Sequence, residues 1–167
     1  MPADWLSTAQ LFGYAAFVLG VMSFAQSNDR RFKLFMTAEC VAYVVHFSLL
    51  GVPAAAASSL VSMTRSLLSL YTRSLWVVTV IVSVNIMLGI GLAEAWWNWF
   101  PLLASTIGTL ALFLMTGIRM RMVMLVGTLL WLANNVLCGS LGGTVLELVI
   151  ALTNVRTIYK MRCHRIS

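Results

Sequence analysis

Long apolar runs, interrupted at short intervals by charged or Gly- and Pro-containing turns, divide the chain nearly from end to end. A membrane-crossing helix needs about 20 apolar residues, within a range of roughly 17–25. Seven runs meet that length: Trp5–Ala25, Leu34–Leu50, Ala54 to about Tyr71, Leu75–Leu92, Pro101 to about Gly117, Met122–Cys138, and Leu141 to about Tyr159. The polar run SNDRRFK (27–33) separates the first two, and Gly51-Val52-Pro53 separates the second from the third. The turns after the second and sixth runs are only a few residues long, so each joins an antiparallel helical hairpin. The aromatic cluster Trp96, Trp97, Trp99, Phe100 belongs at a membrane surface, where an amphipathic ring sits at headgroup level. No basic segment precedes the first run and no cleavage motif follows it, so it reads as a retained helix rather than a signal peptide.

Composition agrees with the pattern. The chain is 60% hydrophobic and 10% charged, with a mean hydropathy of +0.92, whereas soluble domains carry about 25% charged residues. The expected class is an all-α integral membrane protein of seven transmembrane helices. A net charge of +6 invites a nucleic-acid reading, but the placement of the charge argues for topology instead. All eleven Lys and Arg residues lie in one set of loops or the helix ends beside them: Arg30, Arg31, Lys33, Arg65, Arg73, Arg119, Arg121, Arg156, Lys160, Arg162 and Arg165. The opposite loops carry Asp4 and Glu94. The positive-inside rule then puts the N-terminus outside and the C-terminus in the cytoplasm, which requires an odd number of spans. The basic C-terminal tail suits anionic headgroups. Cys40, Cys138 and Cys163 have neither the number for a disulfide framework nor the spacing for a metal. No cofactor is expected.

The first three and last three helices share a layout: helix, basic loop, helix, tight uncharged turn, helix. GYAAF (13–17) and GTLALF (108–113) set Gly13 over Gly108, and HFSLLG (46–51) and NNVLCG (134–139) set Gly51 over Gly139, where the offset is 88 or 89. Both halves begin on the same side, so they are parallel repeats, and the fourth helix inverts the chain between them. The arrangement is 3+1+3: a first bundle over 1–73, a linker helix over 74–96, and a second bundle over 97–167. It resembles the SWEET and PQ-loop transporter superfamily. At closer range the sequence resembles the YgjV-type family of bacterial inner-membrane proteins, through DRRFKL (29–34), HFSLLG (46–51), TRSLLSL and TRSLW between 64 and 76, MRMVM (120–124), GSLGGT (139–144) with Glu147, and Asn154. That resemblance implies a multi-pass protein of the bacterial inner membrane and names no substrate. The SWEET-like layout implies a central pocket lined by an Asn on the third helix of each bundle and a Trp on the second. Asn154 and Trp131 occupy such positions; their counterparts are Arg65, Thr64 or Ser62, and Ala42 or Tyr43. The PQ dipeptide is replaced by Ala9-Gln10, and of the kink-forming prolines Pro101 is the one candidate. These departures point away from sugar as cargo.

Residues at i, i+3, i+4 and i+7 share one face of a helix. Polar stripes follow on four helices: Glu39, Tyr43, His46; Ser58, Ser62, Arg65, Ser69; Trp131, Asn134, Asn135, Cys138; and Thr144, Glu147, Ala151, Asn154. Ionisable residues inside a membrane mark function by default. Bland readings stand beside this one. Serines are common packing glue, Asn134 suits a hairpin cap, Trp131 supplies bulk, and Arg65 either lines a pocket or snorkels to the surface. Glu147 most needs a partner, for which Arg65, His46 or a proton are candidates. Glu39 with His46 is too small a set for a metal. The expected function is a transporter or facilitator for a polar small molecule. Asn154 and Asn135 would hydrogen-bond the solute, Trp131 would stack on it, and Glu147 with Arg65 or His46 would set charge preference or proton coupling; Ser62, Ser58 and Tyr43 complete the lining. The alternative is a non-transporting receptor or adaptor with a ligand in the same cavity. No HExxH, GxSxG or paired catalytic carboxylates suggest an enzyme.

Overall fold

Every regular element in the computed structural model, which describes residues 7–51, 53–92, 99–137 and 141–163, is an α-helix. Seven occur among the described residues: α1 (Thr8–Ala25), α2 (Asp29–Leu49), α3 (Pro53–Tyr71), α4 (Leu75–Leu92), α5 (Trp99–Leu114), α6 (Gly117–Leu137) and α7 (Leu141–Cys163). The sequence expectations at Asp4, Trp5, Glu94, Trp96, Trp97, Cys138, Gly139 and Arg165 fall outside the described residues.

The apolar pattern locates all seven helices but misplaces several ends at the basic side. α2 begins at Asp29, not Leu34, because the Asn28 side chain accepts the Arg31 backbone N–H at 3.1 Å and an acid occupies the first turn. Such a cap and such a charge both satisfy or complement the helix start. Most of the polar run expected to break the chain is therefore helical. α5 starts at Trp99 and stops at Leu114, and α6 takes in Ile118–Arg121 ahead of the expected Met122. Gly117, at φ +59°, makes the reversal between them, and Gly51, at φ +68°, makes the one after α2. α1 is entered through Ser7, whose hydroxyl accepts the Gln10 N–H.

The helices pack as a closed ring in the order α1, α2, α3, α5, α6, α7 and back to α1, with α4 laid against α5 outside it. α2 thus lies between α1 and α3, and α6 between α5 and α7. α2 and α6 are both 21 residues long and begin 88 positions apart. This register pairs Gly108 with Gly20 rather than with Gly13.

Hydrogen bonds tie six helix ends together at one pole of the ring, here called the basic end. Lys33 Nζ donates to the carbonyls of Ser69 (2.8 Å) and Leu112 (2.6 Å). Those carbonyls lie in the last turns of α3 and α5, where no intrahelical N–H remains for them, and a cation is favoured there by the helix dipole. Thr157 Oγ1 does the same for the α1 terminus by donating to the Phe24 carbonyl at 2.7 Å. The Gly117 N–H donates to Asp29 Oδ2 at 2.6 Å, and Asn154 Nδ2 donates to the Arg121 carbonyl at 3.0 Å. Beneath them lies an apolar plug of Phe24, Phe32, Met36, Leu112, Phe113, Met120 and Met124. Phe24 and Phe32 meet edge to face at 5.2 Å.

The outer surface is as apolar as the interior, with Leu11, Phe12, Val18, Val41, Leu129, Val136 and Leu152 all exposed. In water that surface would be costly; in hydrocarbon it is the required one. α1, α2 and α6 are long and apolar enough to cross a membrane, and α5 and the first part of α4 are shorter apolar helices.

Candidate functional site: a polar layer at mid-depth

Glu39 lies ten residues from either end of α2, about 15 Å by helical rise, and so at the middle of the ring. The carboxylate has room there because Gly20 of α1 faces it: a Cβ on Gly20 would stand 2.8 Å from Glu39 Oε1. Across the ring Arg65 reaches from α3 to α5. Its Nη1 donates to the Ser105 carbonyl at 3.1 Å, to Ser105 Oγ at 3.0 Å and to Thr109 Oγ1 at 3.5 Å, while Nε is buried without a partner. Arg65 passes close to α5 at Gly108, where a Cβ would stand 3.9 Å from Nη1, in ordinary van der Waals contact. Glu39 is within electrostatic reach of both Arg65 and Glu147. Cys40 and Tyr43 of α2 belong to the same layer: the thiol faces Ser66, and the phenol is within reach of both carboxylates. Two carboxyl groups and one guanidinium therefore share a layer contributed by α2, α3 and α7, with α5 supplying hydroxyls.

The residues expected to line one pocket are distributed over three depths. Arg65, Glu147 and Tyr43 belong to the middle layer. His46 is two turns nearer the far end; its Nδ1–H donates to the Ala9 carbonyl at 2.6 Å, and its ring fills the space over Gly13, where a Cβ would come within 2.9 Å of Cε1. A carbonyl only accepts, so the ring carries its proton on Nδ1. Tyr43 stacks on Phe47 with centroids 5.6 Å apart. Asn154 lies seven residues beyond Glu147, roughly 10 Å deeper, fully buried at the basic end, with Oδ1 unpartnered. Asn135 and Ser62 are half-buried, Ser58 is exposed, and Trp131 is 39% exposed on α6.

Glu39, Ser105, Thr109 and the pair Lys33–Arg121 are the polar groups that sequence periodicity underweights. Glu39 shares a stripe with Tyr43 and His46, and Gly20 opposite it is the signal that could have promoted it. Arg121 is fully buried, its guanidinium carbon 3.7 Å from the centre of the Phe32 ring and none of its three nitrogens hydrogen-bonded. Among the described residues no three His, Cys, Asp or Glu side chains converge as a metal cage.

Residues 7–165 match the family model described as Imp-YgjV, bacterial inner membrane protein. The chain is 38% identical over 149 residues to "Inner membrane protein YgjV" of Escherichia coli strain K12, an alignment covering 88% of this chain and 79% of that protein. No solved structure matches the chain.

Proposed function

The chain belongs to the YgjV family of bacterial inner-membrane proteins, and from that premise we propose that it is a transporter or facilitator for a polar small molecule. The observation that carries this reading is the placing of Glu39 at mid-depth against Gly20 and of Arg65 across the ring on Ser105, with Glu147 within electrostatic reach of Glu39. Charged groups held at the midplane between two helix bundles are where transporter sites are found. In this reading the halves 1–73 and 97–167 are parallel bundles around a central path, with 74–96 as the inverting linker, in the SWEET-like manner. The common register of α2 and α6 supports it, as does the position of α4 outside the ring. All seven helices span, the N-terminus is outside, and the basic end faces the cytoplasm by the positive-inside rule.

The solute occupies the space bounded by Glu39, Tyr43, Ser62, Arg65 and Glu147, with Asn135, Trp131, Ser58 and His46 toward the outer mouth. Phe24 and Phe32 form the inner gate, closed in this conformation, and Asn154 acts on the path through that gate. Glu39 and Glu147 are the groups able to take up and release a proton between the two open states.

Proteoliposomes loaded with a panel of polar solutes test the proposal. Uptake abolished by Glu39→Gln and Glu147→Gln, and reduced by Asn154→Ala, is expected. Flux unchanged in all three variants refutes it. Saturable binding with no flux identifies the alternative, a receptor or adaptor using the same layer.

A further inference from the structure

We infer a second site, independent of the transport reading: a phosphate-recognising groove at the basic end that holds the headgroup of an anionic phospholipid. The groove, of about 450 Å³, lies where the start of α2, the end of α3 and the α5–α6 link meet, and Arg30, Lys33, Tyr71, Arg73 and Thr116 line it. Lys33 is already committed to two carbonyls. Asp29 also lines the groove; its Oδ2 accepts the Gly117 N–H, its Oδ1 is buried without a partner, and its one negative charge is outnumbered by Arg30, Lys33 and Arg73. Neither Arg30 nor Arg73 makes a hydrogen bond or ion pair with a described residue. Two exposed guanidiniums at the mouth of a groove already lined by Lys33 form a binding site for phosphate oxygens, which the planar fork of Arg matches.

The surface beside the groove selects an amphiphile over a free anion. α3 and α4 are joined by residues 72–74, yet α4 packs on α5. The outward faces near the junction carry Leu67, Tyr71, Leu75, Trp76 and Val80, of which Tyr71 is 81% and Trp76 77% exposed. A charged groove continuous with an apolar strip is the shape of a headgroup with its acyl chains, and basic pockets between transmembrane helices are where anionic headgroups bind.

The fold itself provides a control. A second groove of about 450 Å³ lies at the start of α6, adjoins the first at Thr116 and is lined further by Gly117, Ile118, Arg119 and Met161. In the register that relates α2 to α6, Ile118 stands for Arg30 and Met161 for Arg73. The second groove thus has apolar side chains where the first has its two arginines, although Arg119 also lines it and Met161 is still within α7 whereas Arg73 follows the end of α3.

Native mass spectrometry of the full chain, equilibrated with equal dioleoylphosphatidylglycerol and dioleoylphosphatidylcholine, tests the assignment. The expected result is preferential retention of phosphatidylglycerol, reduced about tenfold or more by the double variant Arg30→Gln/Arg73→Gln, as two basic side chains at headgroup level imply, and unchanged by Arg119→Gln. Millimolar inorganic phosphate or glycerol 1-phosphate leaves the bound lipid in place. Ile118→Arg/Met161→Arg gains a second retained phosphatidylglycerol, a readout that stands even if the Gln variant fails to fold. No preference between the two lipids, equal loss in Arg119→Gln, no second lipid in the gain variant, or displacement by inorganic phosphate overturns the inference. Lipid retention is read without flux, so its failure leaves the transport proposal standing, and the reverse.

Discussion

Arg121 and Lys33 enter the basic end from corresponding positions of α6 and α2, yet they are bonded in opposite ways. Lys33 holds two helix-terminal carbonyls, whereas Arg121 lies flat on Phe32 with its three nitrogens unpaired. The difference follows from Thr157, whose hydroxyl occupies the Phe24 carbonyl, the acceptor corresponding to the one Lys33 uses on Leu112. Arg121 is left with an aromatic face and the more distant charge of Asp29.

Arg121→Met should therefore leave the protein as stable or make it more so. A desolvated cation–π contact contributes about 2 kcal/mol, while burying an ion without hydrogen bonds costs several kcal/mol; the second is larger. Thermal melting in detergent is expected to show an unchanged or higher midpoint. A fall of more than about 5 °C, which at about 2–4 °C per kcal/mol for a chain this size exceeds 1 kcal/mol, would contradict it.

Lys33→Met should destabilise. It removes two charge-assisted hydrogen bonds, each worth about 1.5–3 kcal/mol in water-soluble proteins and nearer 0.6 kcal/mol for polar pairs inside membranes. A loss of about 1–3 kcal/mol is expected, and the midpoint should fall below that of Arg121→Met in the same assay. Equal midpoints would show that Lys33 does not hold the ends of α3 and α5.

Gly20→Ala is a probe of Glu39. The new Cβ meets the far end of a flexible side chain, so the helix packing survives and the carboxylate moves instead. The expected outcome is a melting midpoint within about 2 °C of wild type together with a large loss of uptake in proteoliposomes. Unimpaired uptake would remove Glu39 from the path.

Asn154 and Glu147 share a helix face but should behave differently. Asn154 is fully buried and hydrogen-bonded to the Arg121 carbonyl, so Asn154→Ala should cost about 1 kcal/mol of stability as well as uptake. Glu147 is half-buried, and Glu147→Gln should change stability by under about 0.5 kcal/mol while still abolishing uptake. A comparison of melting and flux for the two variants separates the structural contribution from the solute-facing one.

The class, the number and order of the helices and the family were legible in the sequence, as was the gathering of positive charge at one end, with Arg65 the exception because it lies at mid-depth. Each depends on something local: a run of apolar residues long enough to cross hydrocarbon, a turn that breaks it, and a count of Lys and Arg. The bounds of α4, for instance, follow directly from its apolar run. Helical periodicity also placed Glu147 and Asn154 on one face. It did not place them at different depths in relation to their neighbours, because a stripe fixes an angle around one helix and says nothing of what stands opposite. Only the tertiary structure brought Gly20 to Glu39, Ser105 to Arg65 and the Ala9 carbonyl to His46. The physical reason is the solvent. In a bilayer the lipid-facing and core-facing sides of a helix are equally apolar, so the contrast that marks the inner face of a water-soluble helix is missing. Which polar groups meet is then decided by close packing at small residues and by the demand of buried donors and carbonyls for partners on other helices.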